Sequence, residues 1–411
     1  MPRKIPSETA MSPATGANSL STSTISSSTG GAHASSKNTY AKHPRHKRNT
    51  RECYLDNLRG ILMVMGIVLH AAAGFSSNSG WLINYPSDFQ TSTFLNGINA
   101  GIHSFRMPLF FMVAGYFAML VIGKVGGKMF IQQRLLRIAL PLLVCMLTFN
   151  AFQSWILSIY EQSAFVALYQ QQAISHLWFL VNLIVYSFLL FICVPMFSHD
   201  TLKVKAFSSK KCFFVIIASF PFFVFPILVL GQIGVPIYQN IPVVGMPYYL
   251  YFYFCFFVFG LLLQRQTAWL DLLQRSLPLW GFLYVLSFVM KHYMNMMPEG
   301  FIITLALAYI DLFNVLCLCL CLWGGSMHIL AKHNVWLTKL ADASYSIYLI
   351  HHCLVVAFVL VANYYFARAS SNVNPFALFV CCMVVVFILS YAFHALIVKR
   401  IALIRMFFNG K

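Results

Sequence analysis

From position 57 onward, long apolar runs alternate with short polar connections. Ten runs come close to the ~20 residues that cross ~30 Å of hydrocarbon. They lie at roughly 57–76, 98–122, 138–160, 176–197, 212–232, 246–264, 277–295, 301–324, 342–364 and 375–398. None alternates with period two, and in lipid every backbone amide needs a partner within the protein, so continuous apolar runs select helices over a barrel. The pattern predicts an all-α fold: a polytopic transmembrane helix bundle of about ten helices within 51–411, with no tandem repeat and no extramembrane domain.

Composition sharpens this picture. Apolar residues are 59% of the 411 and charged residues 9%, with mean hydropathy +0.73, which excludes an ordinary water-soluble domain. A formal charge of +18 would otherwise suggest a nucleic-acid partner. However, eight of the 28 Lys and Arg lie in the first 51 residues and most others flank apolar runs, so no nucleic acid is expected. Residues 1–50 are rich in Ser, Thr, Ala and Gly, turn basic at KHPRHKR (Lys42 to Arg48), and lack the apolar core of a secretory signal peptide. They predict a disordered cytoplasmic tail.

Charge in the connections sets the orientation. The connections after even-numbered runs, with the carboxyl-terminal segment, carry sixteen Lys and Arg, among them Lys124, Arg134, Arg137, Lys203, Lys205, Lys399 and Lys411; the opposite ones carry Lys291 and Arg368. Both termini are therefore expected on the cytoplasmic side of the membrane. The eleven Cys show no CxxC or Cys/His spacing and read as small core residues.

Strongly polar side chains at bilayer depth are costly unless paired, and so are functional candidates. In the first run, LDNLRGILMVMGIVLH holds Asp56, Arg59 and His70. Eleven residues return to within about 20° of one helix face and climb ~16 Å, so Arg59 near the inner mouth and His70 beyond the midplane can line one groove. The second run brings His103 and Arg106 to a similar depth. His176 and Trp178 open the fourth at the outer rim, Asp311 lies halfway down the eighth, and His351 and His352 halfway up the ninth.

Blander roles stand beside these. Asp56 can cap its helix, Arg59 can reach the inner interface, and Arg106 can form a structural pair with Asp311. His103 and His176 can be packing residues, and Arg134 and Arg137 can serve orientation alone. His351 and His352 point about 100° apart, so at most one is expected to face the groove.

The His spacings fit no metal motif, and no metal is expected. A neutral buried imidazole suits proton abstraction from a hydroxyl, and a guanidinium suits phosphate or carboxylate. Together they fit acyl transfer across the membrane. The competing reading is a proton-coupled secondary transporter or exporter with His70, Arg106 and Asp311 as a relay. Such proteins usually show Gly- or Pro-interrupted spans in two matching halves, and none pairs here.

Four segments, LDNLRG with His70, HSFRM…FF…GYF (His103 to Phe117), SHLWFL (Ser175 to Leu180) and IYLIHH (Ile347 to His352), resemble membrane acyltransferase family 3. Within that family they look closest to the group that succinylates osmoregulated periplasmic glucans. The likeness runs from about Arg51 to the carboxyl end. It implies an acyl-CoA donor, succinyl-CoA in that group, no permanently bound cofactor, and a periplasmic glucan or other glycan hydroxyl as acceptor. It makes His70 the catalytic base, with His103 and Arg106 beside it, and sets Arg59, Arg134 and Arg137 toward the CoA arm and phosphates. An oligomer is compatible with the pattern. The outer loops offer only aromatic candidates, such as Trp81 and Tyr85, for glucan binding.

Overall fold

The computed structural model describes residues 53–77, 79–198, 210–241, 244–298, 300–332, 334–367 and 373–410. The expected tail, and the basic positions Lys203, Lys205, Arg368 and Lys411, lie outside them. Among the described residues the chain is helical, with one isolated bridge between Ile241 and Gly245 and no strand.

The helices are α1 (Cys53–Gly74), α2 (Phe89–Val125), α3 (Gly127–Glu161), α4 (Phe165–Cys193), α5 (Lys210–Gln232) and α6 (Pro247–Arg265). They continue with a bent α7 (Ala268–Arg275 and Leu277–Met294, 64° apart), α8 (Phe301–Ile329), α9 (Val335–Ala367) and α10 (Pro375–Val398). A short α11 (Ala402–Asn409) follows. Among the described residues, nine helices are long and apolar enough to span a membrane, or ten with the bent pair as one span. This is the all-α polytopic bundle that the apolar runs predict.

Most boundaries fall within a few residues of the runs, but α2, α3, α4 and α9 start early. Polar turns extend these helices beyond any hydrocarbon-length run, which an apolar pattern does not register. At α2 the extension is capped: Asp88 accepts from the Thr91 amide at 2.8 Å and the Thr91 hydroxyl at 2.7 Å. Those donors hold the Asp88 carboxyl below its usual range.

Helix α1 lies at the centre, buried against α9 and α2. At Gly60 an added Cβ would come within 3.0 Å of the Ala341 backbone, so α1 and α9 pack without a side chain between them. Helices α2 and α6 meet the same way: a Cβ on Gly115 would collide with the Phe257 carbonyl, and one on Gly260 with the Met112 carbonyl. Small residues permit such backbone approach where lipid offers no hydrophobic drive to associate. Helix α3 contains π-helical turns at Leu135–Ala139 and Met146–Asn150. The second directly precedes the turn bearing Gln153, and π-turns often accompany functional positions.

Candidate active site

Three helices deliver four imidazoles to one point. His70 comes from α1, His176 from the bend within α4, and His351 and His352 from α9. Ring centroids separate His70 from His352 by 4.6 Å and from His351 by 5.4 Å. His176 stacks on His352 at 4.7 Å and 12°, and lies 5.4 Å from His351. Both adjacent histidines of α9 thus face the cluster, contrary to the expectation that at most one would. The reason is geometric: α1 and the α4 bend approach the sector between the two side chains, so rings that diverge by about 100° at the backbone still share neighbours.

Local structure at His176 makes this possible. Ser175 has φ +41°, a left-handed backbone uncommon outside glycine. The Asn150 amide donates to the carbonyls of Ala173 at 2.8 Å and Ile174 at 3.3 Å, fixing the segment before the bend. The Tyr348 hydroxyl then donates to the His176 carbonyl at 2.8 Å.

The remaining contacts set proton positions. His351 Nδ1 lies 2.8 Å from the Tyr348 carbonyl, which only accepts, so Nδ1 carries the proton and Nε2 a lone pair. His352 Nδ1 is 2.7 Å from Gln153 Oε1, giving the same tautomer in that amide orientation. His70 Nδ1, His351 Nε2 and both nitrogens of His176 are buried without a protein partner. His351, His352 and His176 are almost fully buried, whereas His70 keeps partial exposure. Of the four histidines, His70 alone is not buried as a whole residue.

Arg106 completes the centre. Its Nε donates to the Leu62 carbonyl at 2.8 Å. A Cβ placed on Gly66 would lie 2.6 Å from Arg106 Nη2 and 3.0 Å from His351 Nε2, so guanidinium and imidazole flank the same glycine. Asp311 does not join Arg106; it pairs with Lys291 at 2.5 Å, with half of its side chain exposed. It projects toward the partner helix α7, and the relay of His70, Arg106 and Asp311 is not assembled.

At the opposite end of α1, Arg59 pairs with Asp56 at 3.3 Å and lies over the Phe117 ring at 5.7 Å. Arg134 lies over Phe130 and within electrostatic reach of both Arg59 and Arg137. Among the described residues, Arg59, Arg134 and Arg137 gather at this mouth beside Asp56 and leave it positive. His103 and Trp178 fall elsewhere, on the wall of a cavity of about 680 Å³ between α2, α4 and α6.

Sequence reading passed over three participants. Gln153 carried a signal, as a strongly polar residue within an apolar run. Tyr348 lies within the IYLIHH segment, and Gly66 carried no signal outside the fold. Of the two loop aromatics, Trp81 covers the cluster, 5.4 Å from His352 and 6.0 Å from His70. Tyr85 is 4% exposed and packs on Phe75, so it is a core residue rather than a glucan contact. Among the described residues, no group of three His, Cys, Asp or Glu is disposed to hold a metal ion.

The family profile described as "Acyltransferase domain" matches residues 53–395. Similar proteins include Glucans biosynthesis protein C of Escherichia coli K12 and of Escherichia coli O139:H28. Each is 27% identical over 399 residues, which cover 88% of this chain and 95% of the relative. No solved structure matches the chain.

Proposed function

The chain belongs to this acyltransferase family, and from that premise we propose that it is an inner-membrane O-acyltransferase moving a succinyl group from cytoplasmic succinyl-CoA to a hydroxyl of a periplasmic glucan. The observation that carries the reading is His70: a partly exposed histidine among three buried ones, beside a fixed guanidinium and ~16 Å along one helix from a positive mouth.

In this mechanism the CoA phosphates rest against Arg59, Arg134 and Arg137, and the pantetheine arm extends along α1. His70 takes the proton of the sugar hydroxyl as its oxygen attacks the thioester carbonyl. Arg106 faces the oxyanion of the tetrahedral intermediate. Collapse breaks the carbon–sulfur bond, and the imidazolium returns its proton to the departing thiolate. The ester and free CoA result, with no proton gained or lost overall. His103, one helical turn from Arg106, assists from the acceptor side.

Two measurements test the frame. Arg134→Gln combined with Arg137→Gln is expected to raise KM for acyl-CoA by about tenfold while lowering kcat less, because ground-state contacts to phosphate are lost. Unchanged donor kinetics with intact topology would remove both residues from the site. Reporter fusions are expected to place Ser79 outside and Ser209, beyond the described residues, in the cytoplasm. A cytoplasmic signal at Ser79 would reverse the orientation.

A further inference from the structure

The cavity that holds His103 and Trp178 differs chemically from the positive mouth. Apart from His103 and the tyrosines, its described walls hold no ionisable side chain. They carry instead an unusual density of amides: three consecutive glutamines at 170–172, together with Asn182 and Asn240. Trp178 and Tyr253 stack at 5.4 Å and 23° and present one continuous aromatic surface to the space. An anion such as the CoA nucleotide finds no counter-charge here. A neutral polyol finds what it needs, since amides both donate to and accept from hydroxyls, and sugar C–H faces pack on aromatic rings. The volume of about 680 Å³ lies within the ~300–1,000 Å³ usual for small-ligand sites.

A second observation points independently to a ligand. Asn182 is 2% exposed, lines the cavity, and its Oδ1 is buried with no donor. A buried amide oxygen without a partner is rare and unfavourable, and turning the Asn182 amide toward the cavity would let a ligand hydroxyl satisfy it. The cavity also adjoins the reacting centre. Ser175 on its wall directly precedes His176, whose ring stacks on His352 and whose two nitrogens lack partners. Tyr253 lies within electrostatic reach of Arg106.

We propose that this cavity is the acceptor subsite, binding a neutral sugar unit of the glycan through Asn182 and the 170–172 amides, with the sugar face on Trp178 and Tyr253. The assignment rests on the acyl-transfer reading for its purpose, but its binding chemistry can be measured without any acyl donor.

The test uses the full chain in lipid nanodiscs, because maltoside detergents carry a glucose disaccharide that competes for such a site. Binding of neutral gluco-oligosaccharides is followed by saturation-transfer NMR in the absence of acyl-CoA, and CoA binding is titrated separately. Asn182→Leu is expected to weaken sugar binding by about tenfold or more, the loss typical when a buried polar partner is removed. Asn240→Leu, on an exposed loop, guards against misfolding and is expected to weaken binding less; both variants keep wild-type CoA affinity. Absence of sugar binding by the wild type would overturn the proposal, as would unaltered sugar binding in both folded variants. Loss of CoA affinity in place of sugar affinity would overturn it too, by making the cavity part of the donor path. Sugar binding that is lost in the variants, from a wild type forming no acylated product, would sustain the subsite and refute the acyl-transfer reading instead.

Discussion

Substituting His70 by Ala is expected to lower glycan acylation by about 10² to 10⁴ at saturating acyl-CoA, the usual cost of losing a general base. A sugar hydroxyl is a poor nucleophile until its proton is taken, and the two α9 rings are poorly placed to substitute. His351 is fully buried and its Nδ1 proton is committed to the Tyr348 carbonyl; His352 is 3% exposed and held by Gln153. Insertion, melting and donor binding are expected to stay close to wild type, since His70 donates to no neighbour through its buried Nδ1. The experiment compares product formation by purified variants, with thermal melting as the folding control. Near-normal acylation by a folded His70→Ala protein would sink the mechanism.

Gly66→Ala is expected to cost about 10² in kcat, the scale at which a displacement of about 1 Å degrades a preorganised site. The added methyl would stand 2.6 Å from Arg106 Nη2 and 3.0 Å from His351 Nε2. Neither group withdraws freely: Arg106 is tethered through Nε to Leu62, and His351 through Nδ1 to Tyr348. Alanine favours a helix over glycine by ~1 kcal/mol, so backbone propensity works against unfolding and the loss should fall on catalysis. Gly101→Ala on α2 provides the control, because its Cβ would meet nothing within 4 Å. Equal activity of the two variants would show that the spacing of Arg106 and His351 does not matter for the reaction.

The sequence made the bundle legible because an apolar run of membrane length has few alternatives to a helix. The depth of each polar residue followed from helical rise alone, so His70, Arg106, His176 and the α9 pair could be placed in one slab before any fold was known. Azimuth was another matter. Which way Asp311 pointed depended on α8 packing against α7, and Lys291 rather than Arg106 became its partner. The convergence of His351 and His352 depended on the approach of α1 and of a bend at Ser175 that no apolar pattern encodes. Gly66 matters only through what lies opposite it. The amide-lined cavity was illegible for a related reason: Gln170 to Gln172 and Asn240 flank apolar runs and read as ordinary polar punctuation, Asn182 stands alone within one, and they become a wall only when α2, α4 and α6 meet.

The loop that carries Trp81 is tied to itself. Asn84 Nδ2 donates to the carbonyls of Ala73 and Ser76, each at 2.8 Å, and to the Ser79 hydroxyl at 2.6 Å, and the Ser79 hydroxyl donates to the Ala73 carbonyl at 2.7 Å. The indole is pressed against Gly74, where a Cβ would come within 2.9 Å of it, so its position over His70 and His352 is built into the packing of the loop on α1. Fidelity in the choice of nucleophile follows. In the proposed reaction water is far more abundant than any glycan and differs from a sugar hydroxyl chiefly in size, so a standing aromatic roof would shield a thioester donor from idle hydrolysis before the acceptor arrives.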